Sequence, residues 1–496
     1  MNFAHVRHIF FSGSQREAKG ISPFISVIFE KKKLDLQFED VRFEYWSAKR
    51  TAMVANTQSV VLSHGDMHWL SQRDCLQNEK LWKIYWWGGH RDEALIRRLD
   101  AEKRMSDLPA LVQGATITSG RGFEVLSTGR PSDWLKEYKE LPAKLLTKYG
   151  PQSLRGAREV PDRVYRKGQR EIYSGRRLLV GRGIKSGGFI TARFETKKYC
   201  FRNSIHGVRF NGLDRCQEAV ITAIFWSSLA RYYYFATIGS WGLWHDEIHL
   251  ENIQEMPIRF PDDTKLRERL TGVVEEFQNL QFDAEGMPLA SAQVLRQVPE
   301  LEQELDEAVF ELYELTNGER DLVRDMCTVG LDLFYRNQNS DSLREVIRPP
   351  NGIGTMTDLR EDGDGLSAYL LIFLKVWNAE LGPDAEFVWG VLSPPSGAPL
   401  IAVSFTTHYK SQSVTGTNED EGRLWRAVLG KLGQMSRTQV HSARIFVDSF
   451  FRYVSETEIL FVKRNERRFW TRTAAREDAE SALTYLMNSD SAQDGS

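Results

Sequence analysis

The sequence contains few cysteines and no long apolar segment. Cys75, Cys200, Cys216 and Cys327 lie far apart and form none of the close pairs that are typical of zinc sites. We therefore expect buried, reduced thiols and no bound metal. No apolar run reaches the ~18–20 residues of a membrane span, and the first residues lack a signal-peptide pattern. These absences predict a cytoplasmic protein without a membrane partner.

The sequence also offers no convincing catalytic centre, because it suggests neither a Ser-His-Asp arrangement nor a phosphate-binding P-loop. Trp244–His249 places two histidines four residues apart, but without His-Glu-x-x-His order or a third ligand, which favours a capped turn before a helix. Asn351–Gly354 follows two prolines and no strand, which favours a loop. Ser393-Pro394-Pro395-Ser396 separates two predicted strands and is typical of a hairpin turn. We therefore expect no catalytic and no cofactor-binding residue in this chain.

Composition and periodicity predict an α+β, multidomain protein. The 496 residues are 41% hydrophobic, which is enough for real cores in two to four domains of ~100–200 residues each. Apolar residues with a period of two predict strands, and those with a helical period predict helices. The predicted strands are residues 6–11, 24–29, 178–180, 189–194, 205–210, 387–392, 400–405, 445–447 and 459–462, and the predicted helices are residues 91–99, 219–235, 301–315, 369–381, 424–432 and 473–486.

This pattern divides the chain into five segments. They are a hairpin in residues 1–48, a connector in 49–110, a mixed β-rich domain in 111–262, a helical element in 263–335 and a C-terminal α/β domain in 336–496 with a frayed tail from 488. An isolated hairpin is marginally stable, so the first segment needs a larger sheet. Because it lies close to Met1, it looks like the end of a domain whose body is on another polypeptide. The alternative is an edge hairpin that packs on the later domains.

The strongest signal is a basic segment in residues 151–215, where sixteen Lys or Arg residues stand against five acids, a net charge of +11 in a chain of net charge −2. Such a patch neutralises phosphates and gives salt-dependent affinity for nucleic acid. The loop Gly181–Gly188 presents cations and a hydroxyl that could contact bases. The alternative is an ordinary solvated surface. The candidate DNA-binding residues are Arg182, Lys185, Ser186, Arg193, Lys197, Lys198 and Arg202.

Two stretches resemble a known family. Ile224–Tyr234, followed by Leu250–Ile258, is similar to a helix and a Leu-Pro-Ile-like loop in the target-recognition half of TaqI-like adenine-specific DNA methyltransferases, although Phe225-Trp226-Ser227 stands where that family has Leu-Asn-Ser. Leu305–Leu315 resembles the closing helix of the family, and Val6–Phe29 the last hairpin of its catalytic sheet. The resemblance covers residues 1 to about 330. The last domain more weakly resembles the tails of larger methylases of phage-defence systems.

The resemblance implies that residues 111–262 are a DNA target-recognition domain. The family's Gly-rich cofactor turn and its Asn/Asp/Ser-Pro-Pro-aromatic loop, which holds the flipped adenine, have no counterpart in the sequence. The chain is therefore expected to be the DNA-binding specificity subunit of a split restriction-modification or defence methyltransferase, in which a partner chain binds S-adenosylmethionine. The alternatives are a non-enzymatic DNA-binding adaptor of a phage-defence complex and a protein-binding module with an acidic partner. A self-sufficient hydrolase is the least favoured.

Overall fold

A computed structural model shows a mixed α and β chain. It describes residues 2–9, 24–30, 42–47, 49, 66–126, 128–150, 152–184, 187–241, 246–280, 292–360, 363, 365–392, 399–411, 421–435, 450–455 and 457–493. The chain forms two compact units, one from Met1–Arg73 with Thr328–Ser496 and one from Asp74–Cys327. Among the described helices, none combines the length and the apolar composition that crossing a membrane requires. The boundaries of the five sequence segments stay predictions.

A four-stranded sheet opens the chain. Its order is β2-β1-β3-β4, and β1 pairs antiparallel with β2 and parallel with β3. The predicted hairpin is thus confirmed, and two strands of this chain, which the sequence analysis missed, extend its sheet. In β3 the side chains of Phe43 and Tyr45 are buried, whereas Arg42 is exposed, so the alternation of apolar and polar residues could have revealed it. The elements are β1 (Asn2–Ile9), β2 (Phe24–Glu30), β3 (Arg42–Ser47), β4 (Met67–Ser71) and helix α1 (Gln72–Gln77).

Short helices follow, in the segment expected to be a connector. They are α2 (Lys80–Trp87), α3 (His90–Asp100) and α4 (Leu108–Leu111). The predicted helix 91–99 is confirmed, but its buried face carries Leu95, Ile96 and Leu99, while Ala94 is exposed. At the start of α3, Asp92 Oδ2 accepts a hydrogen bond from Gly89 N at 2.7 Å, which caps the helix.

The basic segment belongs to a small β-rich layer. The strands are β5 (Thr116–Arg121), β6 (Arg130–Pro131), β7 (Lys139–Glu140), β8 (Arg158–Glu159), β9 (Arg163–Val164), β10 (Arg177–Gly181), β11 (Ala192–Glu195) and β12 (Ile205–Asn211). Four of them form an antiparallel sheet in the order β11-β10-β12-β5, and β6 pairs with β9 and β7 with β8. The three strands predicted here are confirmed, although the second begins at Ala192 rather than at 189. Phe123, Tyr173 and Leu179 lie in the core beneath them.

In the described part of this region, six α-helices follow the layer in the chain. The helix predicted for 219–235 is two helices, because Ser227 is extended (φ −71°, ψ 159°) and its Oγ accepts a hydrogen bond from Ala230 N at 3.3 Å. Asp306 Oδ1 caps the second helix by accepting from Ser228 N at 2.7 Å. The predicted stripe from Leu301 to Leu312 is buried. The helices are α5 (Arg215–Trp226), α6 (Ser228–Thr237), α7 (Leu250–Gln254), α8 (Thr264–Asn279), α9 (Ala292–Leu312) and α10 (Asn317–Asp325).

The C-terminal part contains a five-stranded sheet in the order β13-β14-β15-β17-β16, in which every pair of strands is antiparallel. The expected alternation of helices and strands is found, because one helix lies between β13 and β14 and another between β15 and β16, although the described strands pair antiparallel throughout. The elements are α11 (Leu331–Arg336), β13 (Ile353–Gly354), α12 (Gly365–Asn378), β14 (Ala385–Leu392), β15 (Leu400–Tyr409), α13 (Glu421–Met435), β16 (Phe450–Val454), β17 (Glu458–Arg464) and α14 (Arg472–Gln493).

Both faces of this sheet are packed. On β15, Val403 and Phe405 contact the core formed with α12 and α14, whereas Ala402 packs on the other face with Trp425 of α13. The predicted helices and strands are confirmed here, except that residues 393–398 and the predicted strand 445–447 lie outside the described residues. Backbone helix continues to Gln493, so the tail is not frayed from 488. The predicted loop at Asn351–Gly354 contributes two residues to the edge strand β13.

The cysteines are all free thiols. Cys75, Cys200 and Cys327 are buried as expected, but Cys216 is half-buried. Burial raises the pKa of Cys75 and of Cys200 to about 12 and that of Cys327 to about 11. Since the thiolate is the reactive form, these three thiols are inert at neutral pH.

Candidate nucleic-acid interface

Five of the seven candidate site residues are described by the structure, and they lie in three different environments of the β-rich layer. Arg182 follows β10 and is one-third exposed, with its Nη2 2.7 Å from Glu247 Oε2. Its loop is held by main-chain hydrogen bonds, from Ile184 N to Asp246 O and from Ile248 N to Arg182 O, both at 2.8 Å. The loop that carries Arg182 is therefore braced by residues 246–248. Lys185 and Ser186 lie outside the described residues.

Arg193 is in a different environment, because it is buried (9% exposed) within the layer. Its Nη1 donates to Thr147 Oγ1 at 2.6 Å and to Gly150 O at 3.2 Å. Burial lowers the pKa of Arg193. A guanidinium that satisfies interior carbonyl and hydroxyl oxygens cannot also reach a phosphate. We therefore assign Arg193 to the packing of this layer and leave it out of the candidate surface.

The remaining candidates are more accessible but differ in how firmly they are held. Lys198 is exposed, and its Nζ is 3.9 Å from Glu137 Oε2. Lys197 is also exposed, but its Nζ donates to the carbonyl of Gln152 at 2.6 Å. Arg202 makes a two-pronged contact with Glu140, at 2.8 and 3.2 Å. Glu140 is only 2% exposed, so releasing Arg202 would leave a buried carboxylate without its partner.

We call residues 121–140 the strap. Acidic side chains of the strap form ion pairs with cations of the basic segment. Glu124 binds Arg166 (3.0 Å), Asp133 binds Lys167 (2.5 Å) and Glu137 binds Arg170 (2.5 Å), in addition to the pairs of Lys198 and Arg202. In the opposite direction, Lys136 of the strap binds Asp162 at 2.5 Å. The strap contains four acids and four Lys or Arg residues, so it neutralises individual cations without changing the net charge of the region.

Several exposed cations outside the candidate set lie in the same basic segment. Arg163, Arg166 and Arg170 are exposed, and they lie three to four residues apart in the sequence. Val164 is buried between them, as expected for a strand with one solvent face. The alternation accounts for the exposure of Arg163, whereas Arg166 and Arg170 could have been identified only from the density of cations in the segment. We define the candidate DNA face as Arg163, Arg166, Arg170 and Lys198.

Aromatic rings position two of these cations. The Arg170 guanidinium lies 5.6 Å from the centre of the Trp134 ring, and Lys198 Nζ lies 4.8 Å from the centre of the Tyr138 ring. Hydrogen bonds with Tyr138 and Glu137 raise the pKa of Arg170. Cation–π contacts of this kind are compatible with partial exposure of the charge. Both cations would therefore keep their place if the carboxylate between them were exchanged for another anion.

Other motifs and cavities offer less. His249 N donates to Asn252 Oδ1 at 3.0 Å where α7 begins, which confirms the capped turn, while His245 lies outside the described residues. A pocket of about 260 Å³ lies beside β11, α5 and α8, and it mixes Arg176 and Arg215 with carboxylates such as that of Glu218. Within the described ranges, no three His, Cys, Asp or Glu side chains are placed to hold a metal ion.

The segments that carry the family resemblance pack against one another. The hydroxyl of Tyr234 on α6 donates to the carbonyl of Asn252 at 3.3 Å, and that of Tyr313, next to α9, donates to the carbonyl of Pro257 at 2.7 Å. These contacts tie the helix, the loop and the closing helix into one scaffold behind the β-rich layer. Comparison of the sequence with protein-family models gives no match, and comparison with curated proteins gives none either.

Proposed function

We propose that residues 111–262 bind duplex DNA and that the chain is the specificity component of an adenine-specific DNA methyltransferase. The region carries 24 Lys or Arg residues and 15 acids, a net charge of +9. Such an excess of cations suits a polyanion whose counterions are released on binding. The role in methylation rests on the family resemblance, and it requires a catalytic partner that binds S-adenosylmethionine.

One observation carries the DNA-binding proposal, namely that the cations of the candidate DNA face are exposed and that two of them, Arg170 and Lys198, share one exposed carboxylate. Arg166, Arg170 and Lys198 are each more than half exposed, and the Glu137 carboxylate shared by two of them is 45% exposed. Exposed ion pairs stabilise a fold by little, typically ~0–1 kcal/mol. A phosphate can therefore replace the carboxylate at a small cost in folding free energy, so this surface can supply phosphate contacts.

Base reading is assigned to Arg182, because it follows the end of β10, is one-third exposed and is held by Glu247. Phosphate contacts position a protein on the duplex, whereas contacts with base edges specify the sequence. Arg182 could hold guanine through two hydrogen bonds once it exchanges its carboxylate partner. Arg182→Ala should then reduce discrimination between sequences more than it reduces affinity for random DNA.

Two measurements test the proposal. The first is the affinity for random duplex DNA as a function of salt, for which we expect a steep decrease in binding as salt rises. The second is co-expression with the neighbouring genes and identification of proteins that purify with the chain. A stoichiometric partner with the Gly-rich turn and the Asn-Pro-Pro-aromatic loop would support the methyltransferase role. DNA binding without such a partner would instead favour the DNA-binding adaptor, and salt-insensitive or absent DNA binding would overturn both.

A further inference from the structure

Three exposed apolar side chains lie on two paired segments at one edge of the β-rich layer. Val125 is 38% exposed, Leu126 is 51% exposed and Tyr165 is 53% exposed. Glu124 and Arg166 form an antiparallel bridge, and Tyr165 N donates to Glu124 O at 2.7 Å. The register of this bridge places Val125 across from Tyr165. We call these three residues the apolar tip.

The exposure of the apolar tip follows from its position in the layer. Val164, the neighbour of Tyr165, points into the core and is fully buried, so the alternation of a strand directs Tyr165 to solvent. A soluble surface rarely keeps adjacent large apolar side chains in water without a partner that covers them. The tip therefore indicates a contact surface rather than an unfilled core.

The surroundings of the apolar tip indicate which partner it contacts. Arg130 stands across from Val164 in the pairing of β6 with β9, and Arg163 Nε donates to Gly129 O at 2.8 Å. Arg166 borders the tip through its pair with Glu124 at 3.0 Å. All three arginines are exposed. Apolar side chains flanked by three arginines match the stacked bases and the two phosphate backbones of duplex DNA in polarity and charge. They match an apolar protein surface less well.

We infer that the apolar tip is a wedge that inserts between base pairs of duplex DNA while Arg130, Arg163 and Arg166 hold the flanking phosphates. This inference rests on the proposed DNA binding and adds a second mode of contact to it. Apolar side chains that enter a base step unstack it, bend the duplex and unwind it. Leu126 would enter the step, and the Tyr165 ring would stack on an exposed base face.

The first test measures binding. Tyr165→Ala should weaken binding to random duplex DNA by roughly 5- to 50-fold, because stacking on an aromatic ring contributes strongly to the contact with a base. Leu126→Ala should weaken it to a similar extent, because the shortened side chain no longer fills the base step. Tyr165→Phe should keep wild-type affinity, since the ring rather than the hydroxyl makes the contact. Tyr409→Ala is the matched control, because Tyr409 is a 63% exposed tyrosine of the other unit. Because each of these side chains is exposed, folding should be preserved, and thermal unfolding of each variant checks this.

The second test measures unwinding, which phosphate contacts alone do not require. A nicked plasmid is saturated with protein and ligated, and its linking number is then determined. We expect the wild type and Tyr165→Phe to lower the linking number, and Tyr165→Ala and Leu126→Ala to leave it unchanged at equal occupancy. Failure of the wild type to bind the plasmid would refute the proposed function itself. Binding without any change in linking number, or equal unwinding by all variants, would refute only the wedge. Loss of self-association or of a protein partner in Tyr165→Ala, with DNA binding intact, would reassign the tip to a protein contact.

Discussion

Glu137→Gln should increase the affinity for DNA, although it removes contacts from the folded protein. Glu137 Oε2 accepts a hydrogen bond from Arg170 Nη2 at 2.5 Å and lies 3.9 Å from Lys198 Nζ. Glutamine keeps the size of the side chain and removes its charge. Both cations then become available to phosphates, and the Trp134 and Tyr138 rings keep them in place.

The size of the effect follows from counterion release. Each phosphate contact contributes a slope of roughly 0.9 to the dependence of log affinity on log salt. Freeing one or two cations should therefore steepen the slope by about one to two and tighten binding at low salt by roughly 3- to 10-fold. The appropriate assay is fluorescence anisotropy of a labelled random duplex over a series of salt concentrations, with circular dichroism to verify the fold.

The matched control is Glu171→Gln. Glu171 is an exposed acid next to Arg170 in the same segment, and within the part of the chain that the structure describes it has no ion pair. It makes the same change in net charge without releasing a cation. Equal tightening in both variants would show a general charge effect, and unchanged or weaker binding by Glu137→Gln would refute the exchange of carboxylate for phosphate.

Three further predictions test the interface and two lysines that are buried in the described part of the chain. Lys198→Ala should weaken binding to all DNA sequences and reduce the slope of log affinity against log salt by about one. Lys197→Ala should have a smaller effect, because its ammonium is already bonded to a main-chain carbonyl. Salt titration of both variants checks this. Burial lowers the pKa of Lys83 to about 7, below its unfolded value of about 10.4. Between these two values the unfolded state binds more protons, so the free energy of unfolding rises with pH. Lys83→Met should flatten that rise, which urea unfolding at pH 7 and pH 9 measures. Lys463 is 4% exposed and pairs with Asp478. Lys463→Met should lower the free energy of unfolding by about 3–5 kcal/mol, because it leaves a buried carboxylate without its partner. Adding Asp478→Leu should recover most of this loss, which the midpoints of urea unfolding measure.

Sequence reasoning succeeded where a local pattern carries the information. The stripe of α9 and the strands β10, β12, β15 and β17 are confirmed because burial repeats with the period of the element itself. It failed where the decisive contact is distant in the chain. The break at Ser227 is one example, since the local cap by Ser227 Oγ is completed by Asp306 on another helix, 78 residues away from Ser228. An uninterrupted apolar run therefore predicted one helix where the fold has two.

The same distinction applies to the candidate interface. Composition alone identified residues 151–215 as an unusually basic segment, because charge is a property of the residues and needs no fold. Which of those charges are accessible depends on contacts that no local pattern encodes. Arg193 is directed inward by its strand and satisfies carbonyls some 43 residues earlier in the chain, whereas Arg166, Arg170 and Lys198 face solvent beside acids 33 to 61 residues away. The excess of positive charge can thus be read from the sequence alone. The free energy of exposing a given cation depends on its neighbours in space, and only folding brings those neighbours together.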